Sequence, residues 1–179
     1  MRRRRYDPGR AQLIAESALA VIARDGVEQL THRAVAKQAD VPLGSTTYHY
    51  STRDDLLLAA LEMAVERERQ SMEDWADNLG SDPDLPRALA DLILGADADR
   101  ERAIVGYEVY VAALRHPKLR PASIAWTRLL PEHLKHFVDA ITAEALAVAA
   151  EALVLRLLID DRPPSRHLIE ELLVRIIGR

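Results

Sequence analysis

"PLGSTTYHYSTRDDL", residues 42–56, gathers a glycine, a run of hydroxyls and two tyrosines around one histidine before ending in Arg-Asp-Asp-Leu. Hydroxyl-bearing and β-branched residues placed side by side make a weak helix interior. They compete for backbone hydrogen bonds and lose rotamer freedom. The flanking segments are of another kind. Upstream, Ile14, Ala18, Val21 and Ile22 form the apolar stripe of a first helix that stops at Gly26. A short second helix follows Thr31, an N-cap, with Val35, Ala36 and Ala39 on its inner side. Asp40 stands where the chain must turn, and Asp tolerates the left-handed conformation better than most residues. Downstream, Leu56, Leu57, Ala60, Leu61, Ala64 and Val65 open a long helix that Met72, Trp75 and Leu79 continue. Thr52 and Asp55 have the spacing of a capping box at its start.

Two short helices joined by a tight turn, the second poor in propensity, describe a helix-turn-helix. The second helix can be weakly packed on its outer face because that face enters a DNA major groove. Ser45, Thr46 and Thr47 are expected at base edges, where a threonine methyl can also meet a thymine methyl. Gly44 removes a side chain at the closest approach. Tyr48, His49 and Arg53 offer phenol, imidazole and guanidinium to phosphates, which sets register without reading sequence. Tyr50 reads mainly as an aromatic anchor of the small head's own core. Thr31, His32, Arg33 and Leu43 complete the DNA-facing candidates. Arg2, Arg3, Arg4 and Arg5 form a basic arm for nonspecific affinity, with a solvated tail as the alternative for base reading.

Charge agrees with this placement. The net charge is only −4, but residues 1–53 hold nine Lys and Arg against five Asp and Glu, and the remainder fifteen against twenty-three. A basic end on an acidic body touches a polyanion at one end only. The 179 residues contain no cysteine, which excludes disulfides and thiolate chemistry. No apolar run approaches the ~20 residues that span a bilayer. A soluble, cytoplasmic protein with no membrane partner is expected. The sequence has no Gly-rich phosphate loop, HExxH or G-x-S-x-G, so no enzyme, cofactor or metal is expected. His133 and His136 have a spacing compatible with a metal, but no third ligand accompanies them.

Breaks at 80–86, 97–99, 116–121 and 160–164 separate helical segments near 86–96, 100–115, 122–158 (two helices) and 165–177. No segment alternates with period two, so the fold is all-α. A three-helix head over 1–53 is expected to carry a larger helical body over 54–179. Residues 141–159 carry charge only at Glu144, Glu151 and Arg156, and a helix this apolar buries more than one face.

Residues 10–60 resemble the DNA-binding domain of TetR/AcrR-type transcriptional repressors. The likeness rests on the Gly26 stop, the Thr31 cap with "VAKQADV", and the "YHYSTRDDL" exit into a long helix. "RHPKLRP" (115–121) is similar to a loop of many members. The sequence departs from the family pattern at Asp40, where Gly is usual, and at Pro42, where Ser or Thr is. It departs again at Thr47, where an aromatic is common, and at Arg53, where Lys is usual. Arginine keeps the phosphate role, while Thr47 is read as a base or methyl contact.

The resemblance implies a homodimeric regulator of a double-stranded, palindromic operator, released by a small-molecule effector. It also implies a four-helix dimer seam, read here onto Ala149, Leu153, Leu157, Leu168, Leu172 and Ile176. The effector is expected to be mainly apolar, in a body cavity with Met72, Trp75, Tyr107, Tyr110, Trp126, His133 and Phe137 as candidate lining. The competing reading is a helical adaptor whose head binds protein rather than DNA.

Overall fold

The computed structural model describes residues 8–178. Among them the chain forms α1 (Pro8–Asp25), α2 (His32–Gln38), α3 (Leu43–His49), α4 (Arg53–Asp77) and α5 (Leu85–Ala98). Then follow α6 (Arg100–Arg115), α7 (Arg120–Leu134), α8 (Ala140–Ile159) and α9 (Arg166–Ile177). The described residues contain no strand, and the all-α reading stands. Short 3-10 turns at Val27–Gln29 and Pro117–Leu119 join α1 to α2 and α6 to α7. The expected 122–158 pair is α7 and α8, divided where Asp139 caps α8 by accepting from the backbone N–H groups of Ile141 and Thr142.

The chain packs as two compact units. One gathers residues 8–67 together with Ile104–Ser123, and the other holds Glu68–Ala103 and residues 124–178. In the first, Ile14, Ala18, Val21 and Ile22 of α1 are buried with Leu30, Val35, Leu56, Leu57 and Leu61. Each such aliphatic side chain, fully withdrawn from water, stabilises the fold by about 1.5–3 kcal/mol. Gly26 ends α1 at φ 83°, a backbone that a side chain would strain.

In the second unit α5, α8 and α9 pack on one another. Their core joins Leu85, Leu89 and Ile93 of α5, Leu146, Ala150 and Leu153 of α8, and Ile169 and Leu173 of α9. Ser165 caps α9 by accepting from the Leu168 N–H, and Gly178 ends it in the left-handed conformation. Arg102 donates to the Glu68 carboxylate at 3.2 Å and to the Ser71 hydroxyl at 2.9 Å. Burial pushes the Glu68 carboxyl above its ordinary range, and the Arg102 charge pulls against that. No helix among the described residues is long and apolar enough to cross a membrane.

Candidate nucleic-acid interface

The turn between α2 and α3 is built from backbone bonds. Thr31 Oγ1 accepts from the Ala34 N–H at 3.1 Å and starts α2 as read from sequence. At the other end Asp40 has φ 51°. The Val41 N–H reaches Ala36 O at 3.0 Å and the Asp40 N–H reaches Lys37 O at 3.4 Å. Those two bonds are the Schellman pattern, with Asp in the position glycine usually takes. Pro42 then precedes α3 without a side-chain cap, and the Ser45 N–H bonds Pro42 O at 2.8 Å.

Helix α3 divides its side chains sharply. Leu43, Gly44, Thr47 and Tyr48 are exposed, Tyr48 to 51%, and His49 is half-buried with its ring edge-on to Tyr48 at 5.1 Å. Ser45 and Thr46 are buried, the latter completely, and Thr46 Oγ1 donates to Leu43 O at 2.8 Å. Thr46 and Ser45 therefore face the unit's own interior, which corrects their reading as base contacts. A β-carbon at Gly44 would meet nothing within 4 Å, so the fold itself does not require glycine there. Tyr50 is the anchor expected of it, its hydroxyl donating to Ala11 O at 3.1 Å.

Two other candidates are turned inward. Both ring nitrogens of His32 are buried without a hydrogen-bond partner among the described residues, so the imidazole as placed presents neither to a phosphate. The Arg53 guanidinium donates through Nε to Leu30 O at 2.9 Å and through Nη2 to Val27 O at 2.6 Å. Its planar fork fits two carbonyls, a use that the sequence pattern does not reveal. Thr31 and Arg33 remain exposed on the first turn of α2. Arg2, Arg3, Arg4 and Arg5 lie outside the described residues.

The next helix begins with the reciprocal box read from sequence. The Asp55 N–H donates to Thr52 Oγ1 at 3.1 Å, and the Thr52 N–H donates to Asp55 Oδ2 at 3.0 Å. Ser51 adds a hydroxyl bond to the same carboxylate at 2.7 Å, and these bonds hold Asp55 below the usual carboxylate range. Glu108 of α6, on which sequence reasoning placed no role, accepts from the Val27 N–H at 3.4 Å. A lone glutamate in a helical segment carries no signal that could have marked it.

The body candidates are spread over both units. Met72 is buried, and Trp75 and Phe137 pack against the α5–α8–α9 core. Phe137 also lines a cleft of about 380 Å³ with Asp82, Leu85, His136, Val138 and Ile177. Trp126 and His133 are half-buried on α7. Tyr107 and Tyr110 belong to the first unit, where their rings lie 6.3 Å apart. No group of three or more metal-ligating side chains occurs among the described residues.

Of the expected seam residues, Leu153 is part of the core, and Ala149, Leu157 and Ile176 are half-buried. Leu168 and Leu172 are exposed. The uncovered face of α8 runs through Ile141, Ala145, Val148, Ala152, Leu155 and Ile159, spaced alternately by four and three residues. Ile141 is 83% exposed, Val148 64% and Ile159 67%. This stripe replaces Leu153 as the outward face of the helix.

A short α2, a Schellman turn and an exposed α3 make this unit a helix-turn-helix DNA-binding head. The family model described as bacterial regulatory proteins of the tetR family matches residues 14–60, and the tetracyclin repressor-like C-terminal domain matches 81–179. The chain belongs to the TetR family of transcriptional regulators. The crystal structure of the multidrug-binding protein EbrR complexed with imidazole is similar at TM-score 0.82 and 38% identity, covering 97% of each chain. That of the putative transcriptional regulator SCO7518 from Streptomyces coelicolor A3(2) gives TM-score 0.85 at 29% identity, over 96% of this chain and all of the other. The HTH-type transcriptional regulator PksA of Bacillus subtilis is 34% identical over 67 residues, which are 37% of this chain. That match spans about a third of PksA, 33% of its length.

Proposed function

We propose that the protein represses transcription by binding a near-palindromic operator as a homodimer, and that a small aromatic molecule releases it. The observation that carries this reading is the pair of uncovered helix faces, one on α3 with the Thr47 and Tyr48 hydroxyls beside Leu43 and Gly44, and one apolar on α8. On α3, Gly44 has no structural reason to be glycine, while Thr47 and Tyr48 stand beside it in the open. A backbone free of a β-carbon allows close approach to a base edge, and the neighbouring hydroxyls supply donors and acceptors. Thr31 and Arg33 on α2, with Leu43 and His49 on α3, complete the proposed interface. Arg2, Arg3, Arg4 and Arg5 add nonspecific affinity.

The α8 stripe supports the homodimer. Six small or aliphatic residues at heptad-like spacing leave an apolar seam that a second copy covers about a two-fold axis, and Leu168 and Leu172 of α9 are exposed as well. Two heads then meet two half-sites about one helical turn apart, or a simple multiple of it. We assign DNA binding to 1–53, effector binding and dimerisation to 54–179, and action to the cytoplasm.

EbrR has been crystallised with imidazole, proflavin, ethidium and malachite green. Its 37% identity in the ethidium complex, across 95% of this chain, supports a flat aromatic effector, mainly apolar, for the protein described above. The test titrates ethidium while following tryptophan fluorescence and binding to a selected duplex in one sample. Release of the duplex as fluorescence saturates is the expected result. A dye that saturates the protein and leaves duplex affinity unchanged is not the inducer, because equal affinity for both states shifts no population.

A further inference from the structure

We propose that Arg53 of α4 and Glu108 of α6 are positioning residues that orient the recognition helix by gripping the 3-10 turn Val27–Gln29 from its two ends. The turn has little of its own to hold it. Its internal bonds are the Gln29 N–H to Gly26 O at 3.2 Å and the Leu30 N–H to Val27 O at 3.1 Å. The first amides and last carbonyls of so short a turn lack partners within it. Glu108 supplies the acceptor at the amide end, with Oε2 3.4 Å from the Val27 nitrogen. Its other oxygen lies 3.5 Å from where a β-carbon of Gly26 would stand, so the carboxylate lies along the Gly26–Val27 peptide. Arg53 donates through Nε to the carbonyl of Leu30, the residue that ends the turn, and through Nη2 to Val27 O, which it shares with the Leu30 N–H. Both side chains are ionised partners of neutral backbone groups, the stronger kind of hydrogen bond.

The position of the turn gives the grip its consequence. It joins α1 to α2, and α3 packs against both of those helices. Fixing Val27–Gln29 therefore fixes the angle at which α2 and α3 leave α1. The references are α4 at Arg53 and α6 at Glu108, rather than a free loop. A further tie, Arg115 Nη1 to Glu28 Oε1 at 3.2 Å, is well exposed and adds little. The sequence pattern assigns Arg53 to a phosphate, whereas here its guanidinium is directed to Leu30 O and Val27 O. Its loss should then change how well the head fits its site, not how many counterions the complex releases.

The test uses full-length protein and two duplexes of equal length, one selected from a random pool by the wild type and one scrambled. Salt titrations compare wild type, Arg53→Ala, Arg53→Lys, Glu108→Ala and Glu108→Gln. Arg53→Ala and Glu108→Ala should each lose about tenfold on the selected duplex and little on the scrambled one, with the salt slope unchanged. Glu108→Gln keeps an acceptor for Val27 and should recover most of that loss. Arg53→Lys lacks the planar fork that holds both carbonyls in fixed geometry and should recover less than Glu108→Gln does. The double alanine variant should lose less than the product of the single losses, since both act on one turn. A phosphate contact by Arg53 predicts otherwise: the salt slope falls by about 1.8, about 0.9 for each subunit of the dimer, and both duplexes weaken alike. That result overturns the proposal for Arg53, and wild-type selectivity in a folded Glu108→Ala overturns it for Glu108. Thermal unfolding of each variant separates these outcomes from simple loss of the fold. If Arg53→Ala fails to fold, the contrast between Glu108→Ala and Glu108→Gln still decides.

Discussion

Helices α3 and α8 each leave one face uncovered, and the two faces differ in chemistry and in length. Helix α3 has seven residues and no side-chain cap, and it shows a glycine, a threonine and a tyrosine to the outside. Helix α8 has twenty residues, a carboxylate cap and an unbroken aliphatic stripe. A helix stabilised mainly by its inner face can give its outer face to a partner. The chemistry of that outer face fits the partner proposed for each, hydrated base edges and phosphates for α3 and the α8 of a second copy for α8.

Charging the α8 stripe should have the largest effect. Val148→Asp or Ile159→Asp places an unpaired carboxylate in the proposed seam, twice per dimer, at several kcal/mol per buried charge. The dimer dissociation constant should rise by about a thousandfold or more, read by sedimentation. The subunit should still fold, because both positions are open in the single chain. Leu153→Asp, only 4% exposed, should instead unfold the second unit. A Val148→Asp protein that stays dimeric at micromolar concentration would place the seam elsewhere.

On α3 the effects should be smaller and change in kind. Thr47→Ala should shift preference at one base position per half-site by about 1–3 kcal/mol. Thr46→Val should lower thermal stability by about 1 kcal/mol for its lost hydrogen bond and leave base preference alone. Binding to a panel of single-base operator variants separates the two. Gly44→Ala should go in opposite directions in the two assays. It should stabilise the free protein by about 0.5–1 kcal/mol, since helical alanine replaces glycine in open space. It should also weaken specific DNA binding. Stabilisation without loss of binding would remove the close approach from the interface.

How much of this the sequence discloses depends on whether a residue's role is local. Thr31, Asp40, and the Thr52 and Asp55 box act on backbone within a few residues, so their roles can be read from spacing, and the structure places them as read. The helix pattern and its breaks have the same local origin. Roles that depend on what lies across the fold were not legible. Thr46 and Thr47 are neighbours of one chemical type, and only packing against α1 and α2 tells which is covered. Helix α8 is apolar nearly all round, so composition could not choose between Leu153 and Val148 for the outer face. Arg53 reaches carbonyls more than twenty residues away in the chain. Glu108 reaches Val27 across eighty-one positions.

The smallest expected effect contrasts how the two helices begin. Asp139 accepts from two backbone amides and from the Thr142 hydroxyl at 2.6 Å, and those bonds hold its carboxyl below the usual carboxylate range. The hydroxyl bond from Thr142 is the largest cause. Depression in the folded state means that the unfolded chain takes up the proton first. The stabilising contribution is therefore complete above the unfolded value, near pH 4. It fades as pH falls through the lower, folded value. Helix α3 starts at Pro42 with no ionisable cap, so its start has no such dependence. Asparagine caps nearly as well as aspartate but does not titrate in this range. Asp139→Asn should melt slightly below wild type at pH 6, where the carboxylate also favours the helix N-terminus. The difference should hold down to about pH 4 and shrink below it, where the unfolded chain takes up the proton first. Calorimetric melting of both proteins between pH 6 and pH 3 provides the check. A difference that stays constant over that range would mean that the carboxylate's charge contributes nothing to the start of α8.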